Sequence, residues 1–149
     1  LPAAGTGGVG MYFAVVLLVT NYAMHDGHFS GKEAAELIRP QIQADDLLVC
    51  YGDYTATVPY YTGHTMYELA AREEIAARAP KEMSWNSKNV MPFLPLDELP
   101  RDRTVYLVVE RHAFDAFTEN FAAEEWELLG EMPAQKTKLR IYRRAAQKE

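Results

Sequence analysis

Asp45-Asp46-Leu47-Leu48-Val49-Cys50-Tyr51-Gly52-Asp53-Tyr54, continued by Thr55-Ala56-Thr57-Val58-Pro59-Tyr60-Tyr61-Thr62-Gly63, is the stretch whose reading decides the fold. Leu47 to Tyr51 is a short apolar run with two acids before it and Gly-Asp after it. That is the pattern of a buried strand ending in a tight turn. With Pro59 in a first helical turn and Gly63 near its end, residues 57–63 read as a short helix. The stretch is therefore strand, turn, helix, the repeating unit of an α/β domain.

Working upstream, Ser30-Gly31-Lys32-Glu33 has capping-box spacing, with Ser30 as N-cap and Glu33 at N3. Ala34, Leu37, Ile38 and Ile42 form the buried stripe of the helix that follows, and Lys32, Glu36 and Arg39 stay wet. Pro40 predicts a kink or an early termination after Arg39. Farther upstream, residues 1–24 hold no Asp, Glu, Lys or Arg, and Met11 to Val19 is the most apolar run of the chain. Nine residues are too few to cross a bilayer, which takes about 20. The run reads either as the end of a transmembrane helix or as a buried strand or core helix. With no basic n-region before it, the run does not read as a recognisable signal peptide. The chain accordingly divides into an apolar lead-in, 1–24, and an α/β domain, 25–149.

Downstream, His64 to Tyr67 predicts a second strand, and Glu68 to Ala79 a helix supported by Glu68/Arg72 and Glu74/Arg78 at i,i+4. Pro92, Pro95 and Pro100 divide residues 81–100, where Met83, Trp85, Val90, Met91 and Phe93 read as a packed loop or irregular edge elements. Leu96 to Leu99 adds one helical turn. Thr104 to Val109 predicts a strand covered on both faces, followed by a helix with Phe114, Phe117 and Phe121 on its core side. Trp126–Glu131 and Thr137–Arg143 alternate as two strands of a loose hairpin through Pro133. The sum is a small three-layer α/β domain with a mostly parallel central sheet and an antiparallel C-terminal edge.

The 149 residues fit one domain, and 15 basic against 21 acidic residues give a net charge of −6, which opposes nucleic-acid binding. Lys136, Lys138, Arg140, Arg143, Arg144 and Lys148 concentrate near the C-terminus and read as a solvated last strand and tail, with a strip facing phosphate or anionic lipid as the alternative. Cys50, the single cysteine, reads as a packed core residue. Gly5-Thr6-Gly7-Gly8-Val9-Gly10 has G-x-G-x-x-G spacing but no strand before it, so it is no dinucleotide site. His25 and His28 sit in a polar linker and His64 and His112 lie far apart, which gives no metal-ligand spacing. Ser30 and Cys50 are explained as cap and core, and Ser84 and Ser87 stand in no nucleophile elbow. The remaining ligand-binding candidates gather after the first strand. Asp53 can accept hydroxyl hydrogen bonds, and Tyr54, Tyr60 and Tyr61 can stack on a sugar or cover an acyl chain. The alternative is that Asp53 supports the turn and the tyrosines only pack. Glu68 and Glu110 are further acids that the fold could bring near.

Ser30 through Leu37, Val49-Cys50-Tyr51-Gly52-Asp53-Tyr54 and Val58-Pro59-Tyr60-Tyr61-Thr62-Gly63-His64 together resemble the start of the C-terminal soluble domain of bacterial membrane glycosyltransferases of the aminoarabinose-transferase-like and protein-mannosyltransferase-like families. Val105 to Val109 is similar to their second central strand. The resemblance implies an accessory domain on the extracytoplasmic face of the bacterial cytoplasmic membrane, with Met11–Val19 as the end of the last membrane helix. Its implied partners are the membrane domain of the same polypeptide, a polyprenyl-linked sugar donor and a lipid or protein acceptor, with no nucleic acid. It implies no cofactor and no catalytic residue in this chain, and a divalent metal at most in the parent enzyme. His64 stands where such proteins often carry an Arg, and it belongs with the ligand-binding candidates. A stand-alone sugar- or nucleotide-binding domain and a protein-interaction module, with Met83, Trp85 and Phe93 as its face, are the alternatives.

Overall fold

The computed structural model describes residues 30–52, 55–78, 92–133 and 138–147. The first helix, α1 (Ser30–Ile38), buries Ala34, Ala35 and Ile38, and Leu37 packs beside them. It stops one residue before the expected point. The amides of Gln41 and Ile42 both turn back to the Ile38 carbonyl, at 2.9 and 3.0 Å, as Pro40 redirects the chain. The Ser30 side chain, and with it the expected cap, lies outside the described part of the molecule.

Strand β1 (Leu47–Tyr51) and helix α2 (Thr57–Thr62) fall where the sequence places them. Gly63 ends α2 in the left-handed region, φ 74°, and its amide donates to the Pro59 carbonyl at 2.9 Å. A side chain is costly in that conformation, which is why glycine closes the helix.

The next strand departs from expectation. The sequence predicts a strand at 64–67 and a helix from Glu68, whereas β2 runs Met66–Ala70 and α3 begins at Arg72 (Arg72–Arg78). Glu68-Leu69-Ala70 favours a helix locally, but pairing with β1 on one side and β3 (Phe93–Pro95) on the other buries Met66, Leu69 and Ala70. Tertiary pairing overrides propensity here. The expected Glu68/Arg72 helix pair therefore does not form. Arg72 meets Asp97 at 2.9 Å and Glu98 at 2.6 Å, and Glu68 meets Arg78. Asp97 and Glu98 lie in the expected single turn, Leu96–Glu98.

Strand β4 (Val105–Glu110) is buried along its whole length, and helix α4 (Phe114–Asn120) follows. Strands β5 (Glu127–Pro133) and β6 (Lys138–Arg144) form the closing hairpin. The sheet order is β3-β2-β1-β4-β6-β5, with β1 to β4 mutually parallel and β6 antiparallel to both its neighbours. One face carries Leu48, Cys50, Met66, Tyr106, Val108, Leu139 and Ile141 against α1 and α2. The other carries Val49, Leu69, Val105, Leu107 and Val109 against Phe117, Trp126 and their neighbours. Phe117 stacks on Phe121 at 5.1 Å and on Tyr142 at 4.5 Å. Phe121 thus joins the expected seam from just beyond the helix end. Cys50 is fully buried, as its place in the apolar run implies. The Met11–Val19 run and the residues Met83, Trp85, Val90 and Met91 lie outside the described residues.

Candidate functional site

From β1 the chain builds outward to β2 and β3, then returns to place β4 on the opposite side of β1. The C-terminal ends of β1 and β4 therefore flank the point where strand order reverses, the usual ligand crevice of an open α/β sheet. Gly52 follows β1 with φ 104°. A methyl group on it would stand 3.1 Å from Ala113 Cβ, 3.3 Å from Glu110 Cβ and 3.4 Å from His112 Cε1. Absence of a side chain is what lets the two strand ends close together.

Glu110 ends β4 and is 8% exposed. Its Oε2 lies 3.5 Å from His112 Nδ1, and the His112 side chain is 59% exposed. The 3-10 turn Arg111–Ala113 holds this imidazole over the crevice side of the sheet's end. A buried acid thus stands beside a half-open imidazole at the sheet's end, groups able to accept a ligand hydrogen bond or pass a proton. Glu68, also 8% exposed, lies on the same face of the sheet by strand alternation. Two strand spacings, roughly 10 Å, separate the β2 and β4 backbones. Glu68 and Glu110 therefore have separate neighbours, Arg78 and His112 respectively.

Of the sequence candidates, Asp53 and Tyr54 lie outside the described residues, although they directly follow Gly52. Tyr60 and Tyr61 stand on α2 with rings edge to face at 5.1 Å, and Tyr60 is 80% exposed. Lys32 Nζ sits 5.9 Å from the Tyr61 ring centroid. His64 follows α2 and precedes β2, so it belongs to the N-terminal edge of the parallel strands, away from Gly52. Its ring Nδ1 is 3.0 Å from the Thr62 carbonyl. The tyrosine pair is thus brought together, and His64 is not brought to the crevice. The Glu110–His112 pair was legible only as a position: an acid closing an apolar strand, two residues ahead of a histidine.

The basic residues near the C-terminus are largely neutralised where they are described. Lys138 and Arg140 meet Glu131 at 3.3 and 2.7 Å, Arg143 meets Glu127 at 2.5 Å, and Arg144 approaches Glu125 at 4.0 Å. Arg140 and Lys138 hold the Glu131 carboxyl below its ordinary value, and Glu131 raises the Arg140 guanidinium in turn. Among the described residues no group of three or more His, Cys, Asp or Glu is placed to hold a metal, and no helix is long and apolar enough to cross a membrane.

No family model and no curated protein matches this sequence. Among solved structures, ArnT from Cupriavidus metallidurans, crystallised bound to undecaprenyl phosphate, is similar over 76% of this chain, at 12% sequence identity and a TM-score of 0.48. This chain spans 20% of the length of that one.

Proposed function

We propose that residues 25–149 form an accessory soluble domain of a membrane glycosyltransferase that uses a polyprenyl-phosphate sugar. The domain stands on the extracytoplasmic face of a bacterial cytoplasmic membrane, and the catalytic centre belongs to a membrane domain of the same polypeptide. One observation carries this reading: the segments on which the family resemblance rests include a helix, Ser30–Ile38, followed by a strand, Leu47–Tyr51, the order the resemblance implies. The location of the chain's arrival supports it. A side chain at Gly31 would fall on Thr57 and lie 2.8 Å from Thr55 Cγ2. The first turn of α1 therefore abuts the segment after β1, so α1 begins at the same edge as the Gly52 crevice.

The role is to order the acceptor side or the loops of the membrane domain rather than to break the glycosyl phosphate bond. Incubated alone with a polyprenyl-phosphate sugar and acceptor, the 149-residue chain should transfer nothing. Turnover by the chain alone would overturn the accessory assignment. The Glu110–His112 pair at the strand-order reversal favours a second reading, a sugar- or nucleotide-binding domain. Saturable binding of a free sugar or nucleotide that Glu110→Gln weakens would select that reading.

A further inference from the structure

We propose that Tyr60, Tyr61 and Lys32 form a foot that rests in the headgroup layer of a lipid bilayer. The inference deepens the membrane-attached reading above and rests on it. Tyr60 leaves 80% of its surface in water and Tyr61 38%, the two largest aromatic exposures among the described residues. Neither ring is needed by the core, which α2 serves through Val58 and Thr62. A tyrosine ring with an apolar body and a hydroxyl tip is suited to the boundary between acyl chains and water, and a lysine stem can lie along that boundary with its ammonium outward. Lys32 reaches Tyr61 and also lies 3.9 Å from Glu36. With Glu33 on the same helix, the local charge does not suit a polyanion such as nucleic acid. The aromatic pair, not net charge, supplies the contact.

Length and position of the preceding chain select the bilayer as occupant. Lys32 is in the first turn of α1, and residues 20–29 are all that separates that helix from the apolar Met11–Val19 run. Ten extended residues span at most roughly 36 Å, so a membrane holding the run keeps this surface within reach of its headgroups. The foot also sets the domain's orientation, with α2 turned toward the lipid.

The test uses the full 149-residue chain carrying Tyr60→Trp, with vesicles of phosphatidylcholine containing a minority of phosphatidylglycerol. Because residue 60 is so exposed, this exchange leaves the fold intact, and the unsubstituted chain supplies the Trp85 and Trp126 background. The expected result is flotation with the vesicles, a blue-shifted added emission and its quenching by brominated phosphatidylcholine. Adding Tyr61→Ser should lower that quenching about twofold as the ring pair is broken. Flotation without quenching of the introduced indole would overturn the foot and leave the attached domain standing. Failure to float would likewise overturn the foot; the attached-domain reading, whose anchor is the parent's membrane domain, falls instead to an unchanged transfer rate after deletion of the domain. Shielding of the introduced indole from acrylamide in lipid-free protein would overturn the foot in favour of the chain's own apolar run as its cover.

Discussion

Gly52 and Arg144 mark two opposite ways in which a single residue holds this structure. At Gly52 the requirement is for nothing: φ is 104° and the Cβ position is crowded by Ala113 and Glu110. Gly52→Ala should destabilise the chain by about 1–3 kcal/mol, read from the urea midpoint, because backbone strain adds to the clash. At Arg144 the requirement is for a charge in an expensive place. The residue is 5% exposed, lies 5.0 Å from the Trp126 ring centroid and donates to the Pro100 carbonyl. Burial pushes its guanidinium below its ordinary value, opposed by the Glu125 charge. Arg144→Ala should cost about 2–4 kcal/mol, since it leaves that carbonyl without its donor and opens space beside the indole. Arg144→Met should fall between the parent chain and Arg144→Ala in chemical denaturation, as it keeps the packing and loses the bond.

The elements show why some of the fold was readable before it was seen. Leu47–Tyr51 and Val105–Glu110 are apolar runs bounded by turn chemistry, and burial on both faces leaves no competing assignment. Thr57–Thr62 was legible through Pro59 and Gly63, which act on their own backbone. Glu68-Leu69-Ala70 reads locally as helix because its strand state depends on partners distant in sequence: Cys50 and Tyr51 on one side, Phe93 to Pro95 on the other. The candidate site was only partly legible for the same reason. A crevice is set by strand order, and no local pattern states that β4 lies beside β1. The aromatic seam of α4 makes a firm prediction: Phe117→Ala should cost about 3–5 kcal/mol, because Phe117 is 4% exposed and packs on Phe121, Trp126 and Tyr142. The β5–β6 hairpin predicts a pH dependence. Hydrogen bonds from Arg140 and then Lys138 depress the Glu131 carboxyl below 4.5, so their stabilisation is present above that pH and is lost as the pH falls through the folded value. Glu131→Gln should lower the melting temperature at neutral pH, and the gap to the parent chain should close in acid.

At the scale of the molecule, the arrangement has a direction. The parallel strands point their C-terminal ends, the Gly52 turn and the Glu110–His112 pair toward the edge where α1 begins. In the proposed account that edge faces the membrane domain, so the crevice meets the acceptor side of a lipid-linked reaction. The domain then contributes by placing groups and loops, which affects transfer more than donor affinity. The most direct measurement is the rate of sugar transfer from a polyprenyl-phosphate donor by the reconstituted parent enzyme, with and without residues 26–149, alongside donor binding. The account predicts that deletion leaves donor binding in place and lowers transfer by at least about tenfold, a loss of the size expected when positioning is removed. Unchanged folding, donor binding and transfer after deletion would contradict it.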